Sequence, residues 1–140
     1  MTCPLNASQL YDTLAPSYDA RFQSKVALIE NELATANLPT RNVLDLGCGT
    51  GLYLEYCQPE GYIGVDLSVG MLAVARAKFT DAKFIQSDMS AIPLPDNSVD
   101  AVVSLFGSFS YCLAPHRCVN EIYRVLRPEG RVVVMVYGQR

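Results

Sequence analysis

Charge is scarce in this chain, and histidine nearly so. Charged residues make up 18% of the sequence, and there is one histidine. A formal net charge of -3 leaves no basic footprint, so neither nucleic acid nor a membrane surface is an expected partner. No apolar run approaches the length of a bilayer span. No basic residue precedes Arg21 and no hydrophobic signal core is present, so the expected compartment is the cytoplasm. The five cysteines (Cys3, Cys48, Cys57, Cys112, Cys118) form no C-x-x-C pair and show no metal-ligand spacing. They read as small buried thiols, and no metal is expected. Repeats, low-complexity tracts and linkers are also missing. With half of its 140 residues hydrophobic, the chain reads as one globular domain with a real core.

Residues 1–18 are mixed in character and broken by Pro4 and Pro16. Ser17 or Asp19 can cap a helix running to about Leu38, with Phe22, Val26, Ile29 and Leu33 on one face. Short apolar strands are then expected at Asn42–Leu46, Tyr62–Asp66, Lys83–Gln86, Val99–Leu105 and Arg131–Tyr137. Helices are expected between them: one through about Cys57, one capped by Ser68 with Met71, Leu72, Val74, Ala75 and Phe79 apolar, and one over His116–Leu126. In that last helix Val119, Ile122, Val125 and Leu126 should face inward, and Arg127–Gly130 reads as a turn. Strand and helix alternating in this way predict an α/β fold: a doubly wound, mostly parallel sheet in three α/β/α layers. Ligands in such sheets sit at the strand carboxyl ends, where Asp45, Asp66, Asp88 and Leu105 all fall.

The stretch Val43-Leu44-Asp45-Leu46-Gly47-Cys48-Gly49-Thr50-Gly51 is a buried strand running into a glycine turn. Glycines there allow positive φ and let a ligand touch backbone. The third glycine is Gly51, whereas the dinucleotide fingerprint would place it at position 52, which is Leu52. An acid inside the strand, Asp45, suits a cationic ligand group better than a pyrophosphate. The pattern D-x-G-x-G-x-G resembles the first motif of the class I S-adenosylmethionine-dependent methyltransferases, and the resemblance covers about residues 11–137.

That resemblance implies a Rossmann-like core over residues 41–140 preceded by an N-terminal lid and helical segment over 1–40. It implies S-adenosyl-L-methionine as cofactor, with Asp45 and the turn residues Gly47, Cys48, Gly49 and Gly51 at its methionyl end. Cys48 would contribute backbone and small size rather than sulfur. Asp66 would take the ribose hydroxyls, although a helix-capping role also fits. Leu67 and Met71 would flank the adenine, with Met71 equally readable as an ordinary core methionine. Asp88-Met89 resembles the adenine-reading pair, and Leu105-Phe106-Gly107-Ser108 the strand end that offers carbonyls to the methionyl ammonium. Ser108, Ser110 and Tyr111 either face the acceptor or bond to their own loop. Tyr11-Asp12-x-x-Ala15-x-x-Tyr18-Asp19 resembles a lid, with Tyr18 over the cofactor; core packing is the rival reading.

No general base stands out, and His116 reads as a surface residue. The implied activity is methyl transfer to a small-molecule acceptor. The family sheet continues past its fifth strand, so the chain reads as truncated there, with Val132–Val136 an unprotected edge. The alternative is a non-catalytic cofactor-binding or scaffold subunit, pairing with itself or another chain through that edge.

Overall fold

The computed structural model describes residues 6–19, 35–106 and 108–136. It opens with a helix that sequence reasoning missed, α1 (Ala7–Leu14). Its start is written in Asn6 and Gln9: Gln9 N–H donates to Asn6 Oδ1 at 2.9 Å, and Asn6 N–H donates to Gln9 Oε1 at 3.1 Å. Pro16 does not break the segment but sits at the start of a 3-10 turn, Ala15–Ser17. The apolar stripe expected at Phe22, Val26, Ile29 and Leu33 lies outside the described residues.

The core follows the expected alternation. Its elements are β1 (Val43–Leu46), α2 (Tyr53–Tyr56), β2 (Ile63–Asp66), α3 (Val69–Lys78), β3 (Lys83–Gln86), β4 (Val99–Ser104), α4 (Pro115–Val125) and β5 (Leu126–Val134). The strands form one parallel sheet in the order β3-β2-β1-β4-β5. The chain leaves β1 toward β2 and β3, then returns to the other side of β1 as β4. That reversal opens a crevice at the carboxyl ends of β1 and β4.

Side chains of β1 alternate between two cores, as a strand buried on both faces requires. Val43 packs with Tyr53, Leu54, Tyr62, Leu72, Ala75 and Phe84 on one face. Leu44 and Leu46 pack with Val65, Val102, Ile122 and Val125 on the other.

Three expectations about the last elements need correction. In α4 the inward residues are Cys118, Ile122 and Val125, spaced as one helical face, while Val119 is 55% exposed. Leu126 begins β5 rather than ending the helix. Arg127–Gly130 does turn as expected, but inside the fifth strand rather than ahead of it: Val99 pairs with Leu126 and Ala101 with Arg131, so these four residues loop out opposite Asp100. Glu129 takes φ +66° there. The cysteines also divide. Cys112 and Cys118 are joined by a disulfide, because the turn after β4 folds back onto the first turn of α4, while Cys48 and Cys57 are free thiols. The expected end of the fifth strand, Tyr137, lies outside the described residues.

Close packing between β1 and β2 depends on Gly64, which lies opposite Asp45 in the register. A Cβ at Gly64 would lie 2.7 Å from Phe84 Cδ1 and 2.9 Å from both Cys48 Sγ and Tyr62 Oη. Gly64→Ala is therefore expected to destabilise the fold by about 1–3 kcal/mol, the usual cost of overfilling a packed core. Urea denaturation reads this as a lower midpoint; an unchanged midpoint contradicts the packing described.

Candidate functional site

A cavity of about 400 Å³ opens at the strand carboxyl ends, between the glycine turn and α1. The turn is fastened to the neighbouring strand. Gly47 N–H and Cys48 N–H both donate to Val65 O, at 2.7 and 3.0 Å. Gly47 and Gly49 adopt φ +68° and +56°, in the left-handed region that favours glycine. Gly47 has no room for a side chain, and at Gly49 the end of Met71 would have to give way. A Cβ at Gly47 would lie 2.5 Å from Ser108 Cβ, and one at Gly49 3.1 Å from Met71 Cε.

Asp66, at the end of β2, joins the two halves of the cavity wall. Its Oδ2 accepts from Gly49 N–H and its Oδ1 from Ser68 N–H, each at 2.8 Å. Burial raises its pKa, and the backbone donors Ser68, Gly49 and Leu67 pull the other way. The carboxylate keeps lone-pair capacity beyond these donors, so it can accept again from a ligand hydroxyl. The capping role foreseen as the rival reading belongs instead to Ser68, whose Oγ accepts from Met71 N–H at 3.1 Å.

The other expected site residues divide between lining and support. Tyr18, Gly47, Cys48, Gly49, Leu67, Met71, Asp88 and Met89 line the cavity together with Asp66. Met71 is also a core residue, 2% exposed, so the two readings of it describe one side chain. Asp88 Oδ1 accepts from Ser90 N–H at 2.8 Å and Ser90 Oγ at 2.7 Å, closing its own loop at the cavity edge. The Cys48 side chain is buried and its thiol pKa is pushed up by that burial.

Asp45, Gly51 and Leu105 are not among the lining residues. Leu105 is buried in the first core, and its carbonyl accepts from Ser108 N–H at 3.2 Å and Ser108 Oγ at 2.9 Å. Those bonds engage the carbonyl expected for a ligand ammonium, with the Ser108 hydroxyl proton shared between Leu105 O and Gly47 O. Gly51 packs toward the Phe79 ring, with φ +82°. Asp45 shares a face of β1 with Val43, and its Oδ2 accepts from Tyr62 Oη at 2.8 Å. Burial drives the Asp45 pKa up to about 7, against the lowering effect of the Tyr62 bond.

Two residues of the strand-end motif, Phe106 and Ser108, supply part of the wall, and several further wall residues were missed. Phe106 lines the cavity with φ +54°, a conformation costly for a bulky residue. Ser108 Oγ, which donates to Gly47 O at 3.0 Å, ties the segment beyond Phe106 to the glycine turn. Asn6, Ser8 and Leu113 were also unforeseen in the lining, whereas Tyr11 and Tyr111 had been weighed. Tyr11 makes edge contacts with Tyr18 (centroids 6.1 Å apart) and with Tyr111 (5.7 Å), so three tyrosines meet at the mouth. No helix among the described residues is long and apolar enough to cross a membrane.

A family model described as a methyltransferase domain matches residues 44–134, from β1 to the last residue of β5. The chain belongs to that family. Similar curated proteins include the malonyl-[acyl-carrier protein] O-methyltransferase of Marinomonas sp. strain MWYL1, 36% identical over 137 residues, which cover 92% of this chain and 50% of that protein. Another is the demethylmenaquinone methyltransferase of Renibacterium salmoninarum, 31% identical over 96% of this chain and 60% of its own length. The chain thus spans about half the length of the curated relatives it matches. Among solved structures, the Haloferax volcanii putative methyltransferase complexed with the Trm112 methyltransferase activator superposes with a TM-score of 0.78. Identity there is 28%, over 96% of this chain and 62% of that one. The [4+2]-cyclase SpnF reaches a TM-score of 0.79 at 24% identity, over 91% of this chain and 58% of that one, which speaks to fold alone.

In this methyltransferase domain a buried acid with a raised pKa makes stability depend on pH. Folded Asp45 keeps a proton that the unfolded chain releases near 3.8, so its contribution is present below that value and is lost as pH rises through about 7. Asp45→Asn keeps an oxygen for Tyr62 and removes the titration. Its unfolding free energy relative to the parent chain is expected to improve between roughly pH 5 and pH 8, by urea denaturation at fixed ionic strength. A difference that does not change with pH contradicts a buried, protonated Asp45.

Proposed function

We propose that this chain binds S-adenosylmethionine in the cavity and takes part in methyl transfer to a small-molecule acceptor. The observation that carries the reading is Asp66, a half-buried carboxylate at the end of β2 that holds the glycine turn and borders the cavity. In this reading Asp66 takes the ribose hydroxyls, while Leu67 and Met71 make the apolar walls of the adenine slot. Asp88 and the Met89 backbone read the adenine edge. The turn Gly47–Gly49 supplies backbone to the methionyl end. The cofactor supplies a methyl group on a sulfonium, already an activated leaving group. What remains for the protein is to align the acceptor and exclude water, which suits a wall of Tyr11, Tyr18, Phe106 and Tyr111.

The relatives named for malonyl-[acyl-carrier protein] and demethylmenaquinone support methylation and leave the acceptor open. The described lining holds two carboxylates, Asp66 and Asp88, and no lysine, arginine or histidine. That charge favours an uncharged or cationic acceptor over a carboxylate. A second reading, a binding subunit that works with a partner, rests on β5, which pairs only with β4 among the described residues and leaves Val132 46% exposed.

Calorimetric titration with S-adenosylhomocysteine tests the pocket without requiring an acceptor. One-site binding is expected, weakened at least about tenfold in Asp66→Ala through loss of charge-assisted hydrogen bonds. Equal affinity of parent and variant contradicts the ribose assignment. No binding by the folded parent contradicts the cofactor reading.

A further inference from the structure

Tyr11 and Tyr18 reach the cavity only because the short segment that carries them is fixed to the core. Two carboxylates of that segment contribute to the fixation, beside a longer bond from Ser8 Oγ to Leu67 O at 3.5 Å. Asp12 Oδ1 accepts from Ser68 Oγ at 2.5 Å and from Gly70 N–H at 2.8 Å, at the first turn of α3. Ser68 Oγ in turn accepts from Met71 N–H, so the cap of α3 is shared between its own helix and Asp12. Seven residues on, Asp19 accepts from Lys78 Nζ at 2.6 Å, at the other end of α3. Its second oxygen accepts from Thr50 Oγ1, a fully buried hydroxyl of the glycine turn.

The segment therefore lies along α3, clasped at both ends. The charges suit the helix dipole, with a carboxylate at the amino end and Lys78 in the last turn. The hydrogen bonds from Ser68 and Gly70 hold the Asp12 carboxyl below its ordinary range, as expected for an anion kept at a helix start.

Gly70 makes the close approach possible. A Cβ there would lie 3.1 Å from Asp12 Cα, 3.1 Å from Asp12 Oδ1 and 3.2 Å from Asp12 O. Two of those atoms are backbone, so α1 itself would have to move. Glycine is otherwise unfavourable inside a helix relative to alanine.

We propose that Asp12 and Asp19 are positioning residues that clasp the tyrosine-bearing segment over the cavity, so that these two contacts govern how fast a bound S-adenosyl ligand leaves. The proposal rests on the cofactor reading above. The physical link is Ser68: its N–H goes to Asp66 and its hydroxyl to Asp12, so one residue serves both the ligand acid and the clasp. Opening the segment removes the aromatic wall and loosens the turn that orients Asp66.

Two variants, Gly70→Ala and Asp12→Ala, test this together. The readouts are the dissociation rate of S-adenosylhomocysteine, amide exchange across residues 7–19 in the ligand-free chain, and the thermal midpoint. Gly70→Ala is expected to hold or raise the midpoint, since alanine is the better helix former. In both variants residues 7–19 should exchange faster and the ligand should leave roughly tenfold sooner, with little change in its association rate. Binding with unaltered dissociation in both variants overturns the clasp and leaves the cofactor reading intact. A parent chain that binds no S-adenosylhomocysteine overturns the cofactor reading, and with it the clasp's proposed control of ligand release. Unaltered exchange across 7–19 overturns the clasp whatever the ligand does.

Discussion

The hold of β2 on the glycine turn is the contact from which the cavity follows. Val65 O receives two successive N–H groups, from Gly47 and Cys48, and Asp66 receives the next available one, from Gly49. These bonds bend the chain away from β1 at the point where the strand order reverses. Without them Gly47 and Gly49 have no reason to stay at positive φ, and the wall formed by Met71, Met89 and Ser108 loses its partner surface. Asp66 is at once a fastening and an open acceptor. Burial raises its pKa, and three backbone donors oppose that rise without cancelling it.

The second acid of the site has a different part. Asp45 sits in the middle of a fully buried strand, and the two-residue period of that strand turns it toward Tyr62 rather than the cavity. A buried carboxyl with one strong donor is tolerable because it holds its proton near neutral pH. Gly64 leaves the space that the Tyr62 hydroxyl needs. The pair packs the glycine turn from behind, and Asp66 is the strand-end acid that borders the cavity.

Much of this was legible in the residues. Four of the five strands fall close to their apolar runs, because parallel strands buried on both faces leave little else for Val43–Leu46 or Val99–Ser104 to be. The glycine turn followed from its own residues, and Asp66 from its place at a strand carboxyl end together with the family resemblance. Other features were hidden for physical reasons. α1 was hidden behind Pro4 and Pro16, although the Asn6-x-x-Gln9 spacing that gives the reciprocal bonds is itself a helix-start signal. Cys118 took the inward place expected of Val119, since a small sulfur side chain packs as an apolar one. The bulge in β5 hid four residues of a ladder whose start, Leu126, follows α4 without a break. The face of Asp45 could be read from strand period, but its partner could not, because Tyr62 reaches it only through the β1–β2 register. The clasp residues Asp12 and Asp19 were in view as letters of a motif, and only their partners on α3 and the glycine turn gave them a role.

The most direct test of the central claim is a crystal structure of this chain grown with S-adenosylhomocysteine. The account requires the ribose hydroxyls on Asp66, the adenine between Leu67 or Met71 and Met89, and the Asp45 carboxyl still on the Tyr62 hydroxyl. A ligand bound away from Asp66, or an Asp45 that leaves Tyr62 to take the ligand ammonium, would contradict it.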